Sequence, residues 1–132
     1  MYIGKPLQRR EDTKFLKGRG RYVDDIMPRD AAWVAFVRSP HAHAKIISID
    51  TAKAKAAPGV VAVVTGAELA ERHVPWVGVL THLEGLKSAP QYAMPVDCAR
   101  WQGEAVVAVV AERREQAEDG AAMVAVEYQP LD

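Results

Sequence analysis

Residues 33–65, WVAFVRSPHAHAKIISIDTAKAKAAPGVVAVVT, carry the pattern that decides the fold. Their order predicts a strand, a turn, a second strand, a short helix and a third strand. Pro40 breaks the first strand because proline has no N–H to contribute to a strand ladder. Strand, helix and strand so close together predict a mixed α/β layer domain.

The first strand is apolar on both of its faces. Trp33, Ala35 and Val37 fall on one face, and Val34 and Phe36 fall on the other. Such a run is typical of a strand that is covered on both sides. We therefore expect all five side chains to be packed.

The second half of the stretch contains its own start and stop signals. A strand is predicted over residues 44–49, and Asp50 then suits the N-cap of a helix over residues 51–57, because its carboxylate can accept from a free N–H of the first turn. A proline followed by Gly59 ends that helix. Residues 60–64, VVAVV, predict a short buried strand.

Length and composition are those of an ordinary globular domain. The chain has 132 residues, 49% hydrophobic and 26% charged, so we predict one domain over residues 1–132 with an extended arm at 1–30 and a core at 31–132. The only cysteine, Cys98, excludes an intrachain disulfide and fits a reducing compartment. No apolar run approaches the ~20 residues of a membrane helix, so we expect a cytoplasmic protein without membrane contact.

The N-terminal arm is rich in positive charge. Six basic residues fall within thirteen positions: Arg9, Arg10, Lys14, Lys17, Arg19 and Arg21. One interpretation is a phosphate or nucleic-acid contact, and the other is a solvated or partner-facing surface. Lys plus Arg and Asp plus Glu both total 17, and acidic residues lie within the arm itself, so the second interpretation is favoured.

The region after the central stretch begins with a capping box. The Thr65 hydroxyl can accept from the Glu68 N–H while the Glu68 side chain reaches back, which predicts a helix through Arg72. Residues 73–95 lack periodicity and predict a surface loop with a short extended segment. We expect its apolar side chains to pack on the domain or on a partner: Val74, Trp76, Val77, Val79 and Leu80.

The C-terminal third becomes regular again. Strands are predicted over residues 97–102, 106–111 and 124–128, with a tight point at Gly103. A helix over residues 113–123 would carry a narrow face of small residues. Residues 106–110 repeat the pentapeptide VVAVV of residues 60–64. A repeat of only five residues is too short to establish an internal duplication.

Residues able to do chemistry are present without a recognisable arrangement. His41 and His43 would point the same way in an extended chain but lack a third metal ligand at a known spacing, so we interpret them as turn or interface residues. Cys98 has no nucleophile signature and predicts a buried structural thiol. Glu104 and Glu127 show no spacing of an acid/base pair. We predict no catalytic, cofactor-binding or metal-binding residue in this chain.

Two glycine-containing segments and the three tryptophans are further candidates for binding. Thr65-Gly66 links a strand to a helix N-terminus, where anions can bind, but a simple cap is favoured because the loop is not rich in glycine. Gly18-Arg19-Gly20 lacks the strand–turn–helix context of a dinucleotide fingerprint. The three tryptophans are expected in a core or an interface: Trp33, Trp76 and Trp101.

Several segments together resemble a known family, the molybdopterin-binding large subunits of the xanthine dehydrogenase, aldehyde oxidase and carbon monoxide dehydrogenase type. The matching segments come in the family's order and span nearly the whole chain except about residues 71–95. They are Arg10-Glu11-Asp12, Gly18-Arg19-Gly20-Arg21-Tyr22-Val23-Asp24-Asp25, Arg38-Ser39-Pro40-His41-Ala42-His43-Ala44, Ile49-Asp50, Pro58-Gly59-Val60-Val61-Ala62-Val63, Thr65-Gly66, Gly103-Glu104, Ala117-Glu118-Asp119 and Val126-Glu127-Tyr128-Gln129-Pro130-Leu131.

The resemblance implies a fold and a role. It implies an α+β fold, the α/β hammerhead, with a mixed sheet, two or three short helices and an extended N-terminal arm. The parent enzymes oxidise an aldehyde, an N-heterocycle or carbon monoxide with water-derived oxygen at a molybdenum–molybdopterin centre, and pass electrons through iron–sulfur clusters to FAD or another acceptor. In the family, the pterin-binding segments and the catalytic glutamate lie in later domains.

We therefore predict an N-terminal structural and interaction domain of a molybdenum hydroxylase large subunit, which is not catalytic by itself and binds no cofactor. Its expected partners are the remaining domains of the large subunit and the iron–sulfur and flavin subunits or domains. The alternatives are a small nucleic-acid-binding hammerhead module, which the balanced net charge disfavours, and an independent small-molecule-binding domain.

Overall fold

The computed structural model describes residues 3–78 and 82–132. The chain divides into two compact units, Met1–Ala31 and Ala32–Asp132. The first unit contains the helix α1 (Asp12–Leu16), a 3₁₀ turn at Val23–Asp25 and little other regular structure. This helix ends just before Gly18, which has a positive φ of 65°.

The second unit contains six strands and three helices among its described residues. In chain order they are β1 (Trp33–Arg38), β2 (Ala44–Asp50), α2 (Ala52–Lys55), β3 (Val60–Thr65), α3 (Gly66–Ala70), β4 (Cys98–Ala99), β5 (Ala105–Ala111), α4 (Arg114–Ala122) and β6 (Ala125–Pro130). This order confirms the mixed α and β character that the sequence predicts. The prediction of a single domain over the whole chain stays a prediction.

The strands form two three-stranded sheets. Sheet A has the order β1-β5-β3, and sheet B has the order β4-β2-β6. Every pairing within them is antiparallel. The strands on either side of α2 therefore belong to different sheets.

One face of sheet A is covered by α4. Ala35 on β1 and Val63 on β3 both pair with Val109 at the centre of β5 and so share its face. Gly120 on α4 approaches that face so closely that a Cβ would lie 3.0 Å from both Val109 and Val60. The small-residue face predicted for this helix is confirmed, because Ala117 and Gly120 are buried there.

The middle of the opposite face of sheet A is uncovered. Val34 and Phe36 are 49% and 47% exposed, and their neighbours on that face, Val64, Ala108 and Val110, are only half-buried. The prediction that the first strand is covered on both sides is therefore wrong. The helix α4 packs against the other face of this sheet.

The strand β3 forms an edge of sheet A, so the prediction of a buried third strand is only half right. Val63 faces the core and is buried, whereas Val61 is 65% exposed. A register shift between Val60 and Ala62 makes Val61 the extra residue of a bulge. Edge position, rather than composition, explains the exposure of this β-branched run.

Sheet B closes the other side of the core. Ile46 pairs with Tyr128 and Ile49 pairs with Val126, and all four side chains pack against the buried valines of sheet A. The core of the second unit therefore lies between the sheets and under α2 and α4. Its central residues are Ala54, Val63, Val106, Val107 and Val109.

The local signals at the helix ends are confirmed in part. The Ala52 N–H donates to Asp50 Oδ1 over 2.9 Å, so the predicted carboxylate contact to the first turn is present, but the N-cap of α2 is Thr51 and not Asp50. Both helices are shorter than predicted, since α2 ends at Lys55 and α3 at Ala70. Gly59 has a positive φ of 77° after α2. At α3, the Thr65 N–H donates to Glu68 Oε2 over 2.7 Å and the Glu68 N–H donates to Thr65 Oγ1 over 3.4 Å, which completes the predicted capping box.

The long loop and the strand after it contain less regular structure than the sequence predicts. The extended segment in the loop is one antiparallel bridge between Trp76 and Gln91. The strand predicted over residues 97–102 is limited to β4, because the Glu104 N–H and carboxylate turn the chain at residues 100–104. Val79 and Leu80, also expected to pack, lie outside the described residues.

No helix in residues 3–78 or 82–132 has the length and apolar character needed to span a bilayer.

Candidate functional site

A group of polar side chains lies where sheet A meets sheet B. We call it the polar cluster and define it as Ser39, His41, Arg100, Glu104 and Tyr128. Ser39 follows β1, Glu104 precedes β5, Arg100 follows β4, and Tyr128 belongs to β6. Four of the five come from segments that carry the family resemblance, so segments far apart in sequence converge on one place.

Backbone hydrogen bonds hold the cluster together. The Ser39 N–H donates to the Glu104 carbonyl and the Gly103 N–H donates to the Ser39 carbonyl, both over 2.8 Å. Arg38 Nη1 donates to the Gly103 carbonyl over 2.8 Å. The tight point predicted at Gly103 is confirmed by its positive φ of 87°, a conformation that glycine adopts at little cost.

The Ser39 hydroxyl closes the turn after β1. This side chain is 2% exposed. Its Oγ donates to the His41 carbonyl over 3.0 Å and accepts from the His41 N–H over 3.1 Å. Both contacts are to backbone atoms of His41 and not to its ring, so the pair lacks the geometry of a serine nucleophile activated by histidine.

Glu104 is the buried carboxylate of the cluster. It is 5% exposed, and its Oε2 accepts from the Arg100 N–H over 2.6 Å. Burial of a charged group is costly unless hydrogen bonds replace water, and this short bond to a backbone N–H supplies one. The exposed Arg100 side chain is engaged elsewhere: its Nη1 donates to the Cys98 carbonyl over 2.9 Å, and its Nη2 lies 3.5 Å from Asp97 Oδ1.

Tyr128 contributes a hydroxyl that is buried but makes no hydrogen bond of acceptable geometry. Burial raises the pKa of this hydroxyl, and the negative charge of Glu104 raises it further. The Ser39 side chain lies close enough to lower it in part, although its hydroxyl is directed to the His41 backbone. The His41 ring packs edge-on against the Tyr128 ring, with centroids 5.1 Å apart. The cluster thus joins the two sheets through backbone bonds, a buried carboxylate and an aromatic contact.

The two histidines have separate surroundings. His41 contacts Tyr128, whereas His43 Nδ1 lies 3.1 Å from the carbonyl oxygen of Asp132. Across residues 3–78 and 82–132, no three His, Cys, Asp or Glu side chains are grouped to hold a metal ion. The interpretation of these histidines as turn residues agrees with their contacts.

The remaining candidates are dispersed. Cys98 is half-buried, which is less than predicted, and its thiol donates to the Ala99 carbonyl. Glu127 accepts from the Ser48 hydroxyl over 3.1 Å on the exposed side of sheet B, apart from Glu104. The N-terminus of α3 is filled by its own Glu68, so Thr65-Gly66 is the simple cap that was favoured.

The other predicted residues lie at the surface. All six basic residues of the N-terminal segment are exposed. Each of the three tryptophans is also exposed, so none of them belongs to the core, and their role in an interface stays a prediction. Trp76 borders a cleft of about 320 Å³ together with Leu69, His73, Tyr92 and Met94.

Sequence reasoning missed the burial of Glu104 and of the Tyr128 hydroxyl. The signal available was their membership of the motif segments Gly103-Glu104 and Val126-Glu127-Tyr128. It could identify them as important without showing that they meet, because their contact depends on how two sheets pack.

Comparison with known families supports the resemblance. The family model described as "Aldehyde oxidase and xanthine dehydrogenase, a/b hammerhead domain" matches residues 17–132. This match includes every element of the second unit and the whole polar cluster. The hammerhead fold predicted from the resemblance is therefore confirmed.

Individual relatives are similar along nearly the whole chain. The nicotine 6-hydroxylase large subunit of Paenarthrobacter nicotinovorans is 40% identical over 130 residues, which cover 98% of this chain and 16% of that protein. The carbon monoxide dehydrogenase large chain of Afipia carboxidovorans is 40% identical over 129 residues, covering 98% and 15%.

A solved structure gives the same result in three dimensions. The quinoline 2-oxidoreductase of Pseudomonas putida 86 superposes with a TM-score of 0.90 at 43% identity, covering 100% of this chain and 17% of that one. The chain thus spans about one sixth of the length of the proteins it matches.

Proposed function

This chain belongs to the aldehyde oxidase and xanthine dehydrogenase hammerhead family, and we propose that it acts as a structural and interaction domain within a molybdenum hydroxylase large subunit. The proposal assigns the chemistry of the parent protein to residues beyond the matched one sixth. It assigns to this chain the task of packing against those residues and holding their geometry.

One observation carries the proposal: apolar surface is left uncovered next to a well-packed core. Val34 and Phe36 on sheet A, and Trp76, which is 66% exposed, present large side chains to solvent. Apolar surface of this kind is typical of interfaces. The remaining domains of a large subunit are the partner of matching chemistry, and iron–sulfur and flavin subunits or domains are further partners that we propose for the assembly.

The reaction proposed for the parent protein is oxidation of an aldehyde, an N-heterocycle or carbon monoxide with oxygen derived from water. Relatives named for nicotine 6-hydroxylation and carbon monoxide dehydrogenation support this range. A molybdenum–molybdopterin centre would supply that chemistry, with iron–sulfur clusters and FAD elsewhere in the complex. We propose that this enzyme works in the cytoplasm.

We propose that this chain does not hold the pterin cofactor. Its pyrophosphate needs several free backbone N–H groups, yet α3 is only five residues long and its first turn is capped by Glu68. Glu104 is buried and bonded to the Arg100 N–H, so it is not placed to take a proton from a substrate. No catalytic step is therefore assigned to this chain.

The first experiment tests whether this chain holds the metal or catalyses the reaction by itself. We expect residues 1–132, expressed alone in a host that makes molybdenum cofactor, to contain no stoichiometric molybdenum and to show no dye-coupled oxidation of aldehydes or purines. Stoichiometric metal, or turnover lost in Glu104→Gln, would make the chain an enzyme and overturn the proposal.

A second experiment tests whether this chain packs against the remaining domains of a large subunit. The chain replaces the matching segment of the 40% identical nicotine 6-hydroxylase large subunit, and the metal content and subunit assembly of the chimera are measured. We expect an assembled, metal-containing chimera, and reduced assembly when Phe36 is changed to Asp. The control is Ile47→Asp, a similarly exposed position on sheet B away from the uncovered face. Equal assembly of both variants would contradict the interface.

A further inference from the structure

We propose that Arg38 binds a carboxylate of the protein segment that covers the uncovered face of sheet A. This inference rests on the proposed function, which gives that face a partner in the remaining domains of the large subunit, and it adds the chemistry by which the partner is recognised. The middle of the uncovered face consists of Val34, Phe36, Val64, Ala108 and Val110.

Arg38 lies at one end of the uncovered face. Successive side chains of a strand point to opposite sides of its sheet, so Val34, Phe36 and Arg38 of β1 share a side. Their neighbours on β5 are apolar, with Ala108 opposite Phe36 and Val110 opposite Val34. The partner must therefore be apolar over most of this face and must meet a positive charge at the end where β1 leaves the sheet.

Two contacts hold the guanidinium of Arg38 beside this face. Its Nη1 donates to the Gly103 carbonyl over 2.8 Å, and its Cζ lies 5.5 Å from the centroid of the Phe36 ring, a distance typical of a cation–π contact. A long side chain normally loses rotamer freedom on binding, and one that is already held loses less. Arg38 is thus preorganised to receive an acceptor.

The charge of Arg38 has no counter-ion in the part of the chain that the structure describes. Glu104, which follows Gly103, is buried and accepts from the Arg100 N–H, and it forms no ion pair with Arg38. The cations that do form ion pairs there are Lys55, Arg100, Arg113 and Arg114. The exposed charge of Arg38 therefore depends on solvent in the isolated chain.

Covering the face removes this solvent. A charge that loses its water is costly unless an opposite charge with matching hydrogen bonds replaces that water. The planar guanidinium matches the two oxygens of a carboxylate, with which it forms short parallel hydrogen bonds. An aspartate or glutamate beside Arg38 meets this requirement, and an uncharged partner surface does not.

A protein carboxylate fits this surface better than the phosphates of a nucleic acid. Nucleic acids are bound through several lysines and arginines, whereas the uncovered face presents one arginine next to apolar side chains. A charge pair at the rim of an apolar contact fixes the register of the two surfaces more than it raises their affinity. Arg38 thus determines which end of the partner segment lies beside Gly103.

Zero-length cross-linking tests the carboxylate directly. In the nicotine 6-hydroxylase chimera, Arg38→Lys places an amine near the position of the guanidinium, and a carbodiimide joins an amine to a carboxylate in contact with it. We expect mass spectrometry to find a link from position 38 to an aspartate or glutamate in the part of the chimera that comes from the nicotine 6-hydroxylase subunit. The matched control is Arg72→Lys, at an exposed arginine outside sheet A, which should give no such link.

Charge reversal measures the contribution of the pair to assembly. We expect Arg38→Glu to lower the assembled fraction of the chimera about tenfold, because two like charges would face each other, and Arg72→Glu to leave it unchanged. Arg38→Met keeps an apolar chain beside Phe36 without the charge, so its assembly should depend less on salt than that of the parent chimera. Thermal melting of each variant verifies that it folds.

The outcomes separate this inference from the proposed function. A link from position 38 to Glu104 alone, or no link at all, would overturn the role of Arg38. Equal assembly of the Arg38→Glu and Arg72→Glu chimeras would overturn it too, and the proposed function would still stand if Phe36→Asp reduced assembly. Equal assembly of the Phe36→Asp and Ile47→Asp chimeras would contradict the interface itself, and this inference with it.

Discussion

Gly66 lies so close to Pro95 that a Cβ on Gly66 would overlap the Pro95 carbonyl oxygen. Gly66 opens α3, and Pro95 belongs to the loop that returns from Trp76. The glycine of the Thr65-Gly66 segment is thus explained by the close approach of two backbones. An anion at the helix N-terminus is not needed to account for it.

We expect Gly66→Ala to lower the free energy of unfolding by about 1–3 kcal/mol, the usual cost of overpacking a buried site. The matched control is Gly78→Ala, where the nearest atom belongs to the exposed side chain of Trp76, which can move away. Chemical denaturation of the two variants and the parent measures the difference. Equal losses in the two variants would show that the Pro95 backbone adapts.

Gly59 combines a conformational and a steric requirement. Its φ is 77°, and a Cβ there would overlap the side chain of Gln116 on α4. We expect Gly59→Ala to destabilise the chain by at least about 1–2 kcal/mol, the cost of a left-handed conformation for a residue with a Cβ. Thermal and denaturant unfolding measure this loss.

The two contributions at Gly59 can be separated by a double-mutant cycle. In a Gln116→Ala background the steric part disappears, so Gly59→Ala should cost only the conformational part. An identical cost in both backgrounds would mean that the Gln116 side chain moves aside freely. A parent-like melting curve for Gly59→Ala itself would contradict the requirement altogether.

The capping box at α3 predicts a dependence on pH. The hydrogen bond from the Thr65 N–H, followed by the Thr65 hydroxyl and Lys55, holds the pKa of Glu68 below its usual value of 4.5 against a partial desolvation that raises it. A lowered carboxyl pKa in the folded state stabilises the protein above that usual value. The stabilisation is lost as the pH falls through the folded pKa.

We therefore expect Glu68→Gln to have a lower free energy of unfolding than the parent at pH 7. The two free energies should become equal at a pH below the folded pKa of Glu68. Loss of an N-terminal cap typically costs about 1 kcal/mol, which bounds the difference. Glu71→Gln, at an exposed position in the same segment, is the control and should show no such pH-dependent gap. A gap that persists unchanged at low pH would exclude the carboxylate as its source.

The outcome at individual residues shows what a sequence can predict here. Asp50, Gly59 and the Thr65–Glu68 pair act on backbone groups within three residues, so their roles follow from local chemistry alone. The exposure of Phe36 and Val61 and the burial of Glu104 depend on which strand lies at an edge and which face a helix covers. Those properties depend on long-range strand pairing and helix packing, which a run of apolar residues in the sequence does not specify.

The basic N-terminal segment allows a test of the nucleic-acid alternative. We expect duplex DNA and RNA to bind weakly and to be released at physiological salt, because the acidic residues of the segment offset its exposed lysines and arginines. Each phosphate contact contributes about −0.9 to the log–log salt slope on duplex DNA, so titrations at several salt concentrations count the contacts. Sub-micromolar affinity at physiological salt that is lost in the Arg19→Ala, Arg21→Ala double variant would favour the alternative.

The Tyr128 hydroxyl is buried without a hydrogen bond of acceptable geometry. An unsatisfied buried hydroxyl is destabilising, so we expect Tyr128→Phe to equal the parent in stability at pH 7 or to exceed it by up to about 1 kcal/mol. The ring would keep its edge-on contact with His41. A loss of stability in Tyr128→Phe would instead reveal a partner for the hydroxyl.

The same residue sets the behaviour at alkaline pH. Burial, reinforced by Glu104 and partly offset by Ser39, raises the pKa of Tyr128 above its usual value of 10.0. Folding thus favours the neutral phenol, and the resulting stabilisation is present below pH 10 and is lost as the pH rises through the folded pKa. The parent should lose stability above pH 10 while Tyr128→Phe does not, and Tyr92→Phe, at an exposed ring, should follow the parent. Parallel curves for the parent and Tyr128→Phe across that range would show that the phenol is solvated in the folded chain.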